Sequence, residues 1–498
     1  MSNHPDQNTI IMRKQERNKA HLALRKKSTK NIQLNPQKNS TCNYGSVEDE
    51  IQARNKIVAD QIKCMRTQLP VLLKQLSKIK DPRNPKKIKH KKTVLLLYGL
   101  LMFVFNVASR READREMTMP VFLENIKIFF PEIEIMPHND TLMRLLTKIE
   151  VDQIEQALIK CVQKLIRNKK FSRYLIDQYY PIAIDGTQKM VRNQIWDEKC
   201  QQRTVGKEGH QYKQYYVYVL EASLAFQNGM TIPLMSEFLD YTKGDTDRKK
   251  QDCETKAFKR LACRLKKVFP KLSIMLLIDG LYANGPVMKI CRKNRWDYMI
   301  VLKNDSLKSV WNEYYALQSL SPEKKLKMKW GNRNQTFKWI NNIEYEYQNE
   351  KTQLVHVVTC KETWEEVDKD TNKIVCKESN HAWISNKPLR KHNLHKRCNL
   401  AARHRWNIET EILIQKHHGY QYEHNYSYNW NAMKGYHFLM RIGLMFNVLA
   451  QYSECFIDVI KTFGRRGTIK FIFETMRGPW FNTDYLKTME KPRQLRLI

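Results

Sequence analysis

Two short apolar runs that each end in aspartate decide the fold of this 498-residue chain: PIAIDGT at residues 181–187 and IMLLIDG at residues 274–280. Each run has the length and composition of a buried β-strand, and a turn-favouring glycine follows each acid. Asp185 and Asp279 are therefore predicted to stand at the ends of two strands. A third acid, Glu409, follows much later in a segment with helical spacing.

Carboxylates placed in this way can meet in an all-oxygen site for a divalent metal ion. Mg2+ suits such a site, because it binds a few carboxylates and keeps waters and phosphate oxygens as further ligands. The chain has 87 Lys and Arg residues against 51 Asp and Glu residues, a formal net charge of +36. This surplus favours salt-dependent binding to a polyanion, so we expect the phosphates to be those of nucleic acid. Charge alone fits a ribosome-associated or simply soluble basic protein equally well.

The helix of Glu409 places two cations near this acid. Arg405 precedes Glu409 by four residues, and Lys416 follows Arg405 by eleven. At about 100° per residue, the three side chains share a sector of roughly 40° on one helix face. Such a face would combine a carboxylate for metal with two cations for phosphate. The alternative is a solvated helix with an i,i+4 ion pair; the two strand-end aspartates favour the metal-binding interpretation.

The region around the two aspartates predicts a mixed α/β fold with the order β-β-β-α-β-α-β. A hairpin turn at Asn228-Gly229 joins the second and third strands. The chain is long enough to form two or more domains with their own cores. The predicted strands lie at 180–184, 215–226, 230–239, 274–278 and 298–302, and the helices at 253–268 and 287–292, with a further buried helix at 430–451.

With these motifs in order, the chain resembles the DDE transposases of the bacterial insertion-sequence type. That family carries the signature Y-x2-R-x3-E-x6-K, which Arg405, Glu409 and Lys416 match, whereas Ala402 stands where the family has tyrosine. Two further stretches resemble the family's first and second aspartate motifs: IDGT at 184–187 and IDGLY at 278–282. The resemblance covers roughly residues 81–455.

The resemblance implies an RNase H-like mixed sheet flanked by helices, in which the first and fourth strands are neighbours. It implies that Asp185, Asp279 and Glu409 hold two Mg2+ or Mn2+ ions, and that Arg405 and Lys416 bind DNA phosphates. The implied reaction is cut-and-paste transposition, with strand cleavage at the element ends followed by strand transfer. The expected partners are double-stranded DNA, as terminal inverted repeats and as target, and a second subunit in a homodimer. The expected location is the cytoplasm, at the nucleoid, without membrane contact.

The same interpretation divides the chain into six segments. The segments are a basic flexible arm at 1–50, a helical DNA-binding domain at 51–170, the first part of the catalytic core at 171–303, a β-rich insertion at 304–390, the second part of the core at 391–455, and a basic C-terminal segment, with a role in dimerisation, at 456–498. The helical domain could instead be a structural cap, and the N-terminal arm could be a tail without a specific role.

Local patterns add detail to the helical segment. Asn139-Asp140 predicts an N-cap for a helix at 141–149, and Asp152 with Glu155 predicts a capping pair for a helix at 154–166. The apolar run at 94–107 is shorter than the roughly 20 residues of a membrane span. We therefore expect a buried helix there.

Two residue groups allow alternative interpretations. The spacing of His392, His395 and Cys398, with His417 and His418 further on, indicates either structural zinc or a basic loop near DNA, and the loop is the better fit. The eleven cysteines include no CxxC pair and are typical of reduced thiols. We predict that the tryptophans of the insertion are core residues, one of which could stack on an unpaired base: Trp330, Trp339, Trp364 and Trp383.

Two other functions remain open from the sequence. One is a domesticated, catalytically inactive DNA-binding protein, which the substitution of tyrosine by Ala402 favours and the three acids oppose. The other is an RNase H-like nuclease that cleaves DNA without strand transfer.

Overall fold

The computed structural model describes residues 15–17, 19–20, 41–42, 44–243, 252–348, 351–368, 370–480 and 496–497. Most of the predicted basic arm, and the end of the predicted C-terminal segment, lie outside these residues. The chain is a mixed α/β protein that divides into two compact units. The first unit contains Ser273–Arg403, and the second contains Leu34–Leu272 and His404–Ile498.

Helices open the second unit. Their apolar positions recur at the three- and four-residue spacing of an amphipathic helix, so each buries one face. The helical segment between residues 51 and 76 is interrupted at Thr67 and Gln68, and the helix predicted at 94–107 is confirmed. The helices are α1 Val47–Arg66, α2 Leu69–Leu76, α3 Lys92–Val104, α4 Arg110–Glu116, α5 Pro120–Phe129, α6 Asn139–Leu146 and α7 Asp152–Arg167.

Strands and one helix follow in the same unit: β1 Tyr180–Arg192, β2 Gln201–Val205, β3 Tyr212–Ala225, β4 Thr231–Phe238 and α8 Glu254–Val268. Strand β3 pairs antiparallel with β1 along one edge, and with β2 and β4 along the other. The predicted hairpin turn is confirmed, with Gly229 at a φ of +83° that favours glycine. The sequence QQRTV of β2 lacks apolar alternation, and this strand was not predicted.

The prediction that Asp185 ends its strand is wrong. Strand β1 continues to Arg192, and Asp185 lies inside it, directly opposite Glu221 of β3. The strand continues past Gly186 because residues up to 192 keep their pairing with β3, across a bulge between Gln188 and Met190. A glycine after an apolar run therefore did not mark a strand end here.

Both capping predictions are also wrong. Helix α6 begins at Asn139, two residues earlier than predicted, and the side chain of His138 accepts the hydrogen bond from the Asp140 amide. Asn139 is instead drawn into the core, where it accepts a hydrogen bond from the hydroxyl of Tyr436 at 2.6 Å. Helix α7 begins after a residue without a side-chain cap, because the carboxylate of Glu155 is buried and pairs with an arginine of α8.

Three long helices complete the second unit: α11 Trp406–His417, α12 Trp430–Gln451 and α13 Ile457–Arg477. Helix α12 is buried along most of its length, as predicted, and packs against α3. Two glycines permit a close approach. A Cβ atom at Gly443 would lie 2.7 Å from Cβ of Phe103, and one at Gly99 would lie 2.9 Å from Cδ1 of Leu439. Among the described residues, none of the helices combines the length and the apolar composition needed to cross a membrane.

The first unit contains the elements β5 Ile274–Ile278, α9 Gly285–Asn294, β6 Asp297–Val301, α10 Lys308–Leu320, β7 Lys325–Trp330, β8 Arg333–Tyr347, β9 Lys351–Val367 and β10 Ile374–Ser385. Strands β5 and β6 are parallel, and β6, β10, β9, β8 and β7 then pair antiparallel in that order. The sheet is therefore mixed. The segment predicted to be a β-rich insertion does form strands, with a turn between β9 and β10.

We predict that Gly443→Ala lowers the free energy of unfolding by about 1–3 kcal/mol, because the added methyl group would overpack the contact between α12 and α3. Urea denaturation followed by circular dichroism measures this change. Gly45→Ala is the matched control, since its Cβ atom would meet no atom closer than 3.4 Å. Equal stability of the two variants would contradict the packing that we describe.

Candidate functional site

Asp185 is half-buried on β1, and its carboxylate accepts a hydrogen bond from the Gly186 amide at 3.0 Å. Gly186 leaves room for neighbouring side chains, because a Cβ atom there would lie 2.6–2.7 Å from atoms of Tyr218 and Glu254. The Tyr218 hydroxyl donates a hydrogen bond to Glu254, and burial together with this acid raises the pKa of Tyr218. The glycine after the acid thus serves packing against β3 and α8.

Glu409 lies in the first turn of α11 with its side chain 32% exposed. The guanidinium of Arg405 pairs with the Glu409 carboxylate at 2.7 Å, so the i,i+4 ion pair that the spacing allowed is formed. Arg405 itself is buried, and its guanidinium lies 4.5 Å from the ring of Trp406. Ala402, where the transposase signature has tyrosine, is also buried.

Lys416, the second cation of the signature, already has an acidic partner. Its ammonium lies 2.9 Å from the carboxylate of Glu423, and its side chain is 18% exposed. A phosphate at this position would therefore have to replace a surface ion pair, which is a weak interaction.

Helix α11 packs against β1, β3 and β4. Asn407 donates a hydrogen bond to the carbonyl of Phe226 at 2.8 Å, and Glu411 accepts one from the hydroxyl of Ser223. Ser223 is two residues beyond Glu221, and Glu221 is the cross-strand partner of Asp185. Side chains two apart on a strand, and those directly opposite across strands, share a face. The face of β1 that carries Asp185 is therefore the one against which α11 packs.

Asp279 belongs to the first unit and directly follows β5, as the sequence predicted. Its side chain caps the short helical turn after the strand by accepting a hydrogen bond from the Leu281 amide at 2.9 Å. The ammonium of Lys303 lies 3.9 Å from the other carboxylate oxygen, and the Asp279 side chain is 29% exposed. This acid has the exposure and the nearby cation that Glu409 also has.

The three predicted ligands are thus distributed over both units, with Asp185 and Glu409 in the second and Asp279 in the first. Within either unit, the described residues include no group of three or more His, Cys, Asp or Glu side chains arranged to hold a metal ion. The three-carboxylate metal site stays a prediction from the sequence.

The histidine and cysteine pattern does not form a loop. Lys391–Leu394 is helical and leads into a π-helix at His395–Ala401, so the prediction of a basic loop is wrong. Cys398 is completely buried, and burial raises the pKa of its thiol, which makes a thiolate ligand unfavourable.

Two of the four tryptophans in the insertion are core residues: Trp339 and Trp383 are buried. The other two are half-buried and each lies beneath an arginine. The guanidinium of Arg403 is 5.1 Å from the Trp330 ring, and that of Arg333 is 4.0 Å from the Trp364 ring. Stacking of a base on any of them stays a prediction.

The sequence analysis missed the acid that organises these arginines. Glu362 of β9 is completely buried and pairs with both Arg333 and Arg403. Burial alone would raise its pKa, but hydrogen bonds from His381 and Gln335 and the two arginines lower it below the usual range. Nothing in the alternating strand pattern distinguishes an inward-pointing glutamate from its exposed neighbours, so the role of Glu362 could not be predicted from the sequence.

A second buried acid network lies in the second unit, around Glu221 and Glu411. Arg441 of α12 pairs with both carboxylates, and His437 lies 3.1 Å from Glu221. Burial would raise the pKa of Glu221, but Arg441 and His437 lower it to about 2. Burial lowers the pKa of His437 to about 4, so its imidazole is neutral near pH 7.

We predict that His437 makes the protein acid-sensitive between pH 6.5 and 4. The unfolded chain binds a proton at this histidine near pH 6.5, whereas the folded chain resists it down to about 4. Its contribution to stability is therefore present above pH 6.5 and is lost as the pH falls, by on the order of 3 kcal/mol. Urea denaturation of His437→Gln across this range should show a flatter pH dependence than wild type.

The control for this measurement is His210→Gln, which replaces an exposed histidine of the second unit. This variant should keep the pH dependence of the wild-type protein. Parallel curves for all three proteins would contradict the buried, neutral state of His437.

Comparison with known proteins gives one family match. A family model described as DDE_Tnp_1-associated matches residues 73–162, from the end of α2 into α7. No curated protein matches the chain. The match covers a minority of the chain and supports a DDE-transposase family context for that region.

Proposed function

We propose that this protein is a DDE transposase that binds the ends of its mobile element, cleaves them in a metal-dependent reaction and transfers them to target DNA. The observation that carries the proposal is the position of the transposase-associated match. Residues 73–162 precede the strand of Asp185 in the chain and lie in the same unit as that strand and the helix of Glu409. The three acidic motifs then follow in the order of the signature.

The arrangement of strands supports an RNase H-like core. In chain order, β1, β3 and β4 pair antiparallel, α8 follows, and β5 and β6 pair parallel around α9. The short strand β2 is an addition to the order expected for such a core. Each unit by itself is compatible with one part of that sheet.

The chemistry of the acids fits divalent metal ions. Asp279 and Glu409 are partly exposed carboxylates, and Asp185 is half-buried, so hard oxygen donors are accessible in each case. Under this proposal Asp185, Asp279 and Glu409 would hold Mg2+ or Mn2+. Bound there, two such ions would activate the attacking water or DNA 3′-hydroxyl and stabilise the leaving oxygen.

The remaining residues have roles that follow from their contacts. Arg405 holds the Glu409 carboxylate in position and supplies a positive charge beside it. Lys416 would exchange Glu423 for a DNA phosphate. The basic helical region at 73–162 would bind the terminal inverted repeats, and a homodimer would bring two ends together.

We predict that Asp185→Asn and Glu409→Gln each lower nicking of DNA by more than about 100-fold, since loss of a ligand should exceed the 10–100-fold cost of losing its supporting contacts. The assay uses purified protein, Mg2+ and a plasmid with the terminal repeats that flank the gene. Asp177→Asn, an exposed acid just before β1, should nick like wild type. DNA binding should persist in all three variants.

The outcomes of this assay separate the candidate functions. Nicking followed by joining to target DNA supports the transposase. Specific binding with no nicking by the wild-type protein would favour the inactive DNA-binding protein, and cleavage without joining would favour the nuclease.

We also predict that Lys416→Gln weakens DNA binding and reduces the slope of log K against log salt by about 1, as for the loss of one phosphate contact. Fluorescence anisotropy at several salt concentrations measures the slope. Lys434→Gln is the matched control. Lys434 also forms an ion pair, with Asp152 at 2.7 Å, and its side chain is 20% exposed, close to the 18% of Lys416. An unchanged slope in Lys416→Gln would remove this residue from the DNA interface.

A further inference from the structure

Three charged side chains form a cluster in the second unit that the proposed chemistry does not use: Glu221, Glu411 and Arg441, here named the core ion cluster. Their exposed fractions are 0%, 2% and 0%, so the charges are almost fully removed from water. Buried charges of this kind are costly unless each is paired and hydrogen-bonded.

The cluster joins three elements of the unit. Arg441 comes from α12, Glu411 from α11 and Glu221 from β3. One guanidinium nitrogen binds Glu411, and the other lies 3.4 Å from Glu221 and 3.1 Å from the Ser223 hydroxyl. Ser223 in turn donates to Glu411 at 3.1 Å. The helix of Glu411 is thereby tied to β3 both directly and through Arg441.

Further contacts fix the second carboxylate of the cluster. Glu221 accepts hydrogen bonds from the hydroxyls of Ser236 at 2.6 Å and Tyr422 at 2.9 Å. His437 lies 3.1 Å from the same carboxylate. With so many directional partners, Glu221 has little freedom to change its position on β3.

The core ion cluster is connected to the two predicted metal ligands of this unit through helix α11 and through the pairing of β1 with β3. Glu411 is two residues beyond Glu409 but lies on the buried side of α11. Glu221 is the direct cross-strand partner of Asp185. Any rotation or sliding of α11 that displaced Glu409 relative to Asp185 would therefore have to break hydrogen bonds to Arg441 or Ser223.

Stability alone gives a poor reason for this arrangement. Apolar side chains of similar volume usually stabilise a core as well as a buried ion pair does, but they tolerate sliding. A network of charged hydrogen bonds has one favourable geometry. A fixed geometry suits Mg2+ binding, because Mg2+ accepts only a near-ideal octahedral set of ligands.

We propose that Glu411, Arg441 and Glu221 are positioning residues that fix the helix of Glu409 against the strand of Asp185 at the spacing that a divalent metal ion requires. This inference rests on the proposed function. None of the three residues touches the metal ion or DNA in this scheme; they act through Glu409 and Asp185.

The test has two measurements. Electron paramagnetic resonance measures Mn2+ binding to the full-length protein on a DNA end, and a nicking assay gives the Mg2+ concentration at half-maximal activity. Glu411→Gln keeps the size of the side chain but removes its charge and replaces one acceptor oxygen by an NH2 donor. We expect it to weaken Mn2+ binding and to raise the half-maximal Mg2+ concentration about 10–100-fold, as for loss of a contact that supports a metal ligand. DNA binding should remain unchanged.

Tyr436→Phe is the matched control. It removes a buried hydrogen bond from the same helix α12, to Asn139, without touching the core ion cluster. This variant should bind Mn2+ as the wild-type protein does, even where its stability is lower. Unchanged metal binding in Glu411→Gln, or an equal loss in Tyr436→Phe, would overturn the positioning role.

Failure of the proposed function has a different signature. In that case the wild-type protein itself neither binds Mn2+ at Asp185 nor nicks DNA, and Asp185→Asn changes neither measurement. If wild type nicks DNA and Asp185→Asn abolishes Mn2+ binding while Glu411→Gln does not weaken it, the transposase proposal stands and the positioning role alone is lost.

Discussion

The guanidinium of Arg441 is the contact on which the second unit depends. It lies between the carboxylates of Glu221 and Glu411 in a region without exposure to water, so its positive charge offsets part of the cost of burying the two acids of β3 and α11. Strand and helix can therefore pack directly on each other. Asp185 lies opposite Glu221 across strands β1 and β3, and Glu409 shares a helix with Glu411. The contacts of Arg441 with Glu221 and Glu411 therefore set the position of both predicted ligands.

The first unit contains a comparable arrangement built from different elements. Glu362 of β9 is completely buried and holds Arg333 and Arg403, whose guanidinium groups lie over Trp364 and Trp330. In both units buried glutamates thus pair with arginines from neighbouring segments. On a chain with a net charge of +36, acids used in this way keep part of the positive charge inside and orient it.

The sequence predicted those features that depend on local pattern. Apolar runs and turn residues located β3, β4, β5 and β6, the hairpin at Gly229 and the buried helix α12, because burial on both faces leaves a continuous apolar run. The length of β1 was missed, since pairing with β3 continues through polar residues after Asp185. The caps of α6 and α7 were missed because Asn139 and Glu155 take partners distant in sequence. For the same reason the sequence pattern could not identify Arg441 as the partner of Glu411.

The packing of α3 against α12 has a consequence for the order of synthesis. Helix α3 lies within the region matched by the transposase-associated family, and Asn447 of α12 binds the carbonyl of Val104 across 343 residues of chain. At roughly 5–20 residues per second, a ribosome needs on the order of tens of seconds to make that interval. During this time the apolar surface of α3 is exposed without its partner α12, so the nascent chain is a natural client for chaperones. A truncated gene copy that lacks α12 would yield an aggregation-prone fragment.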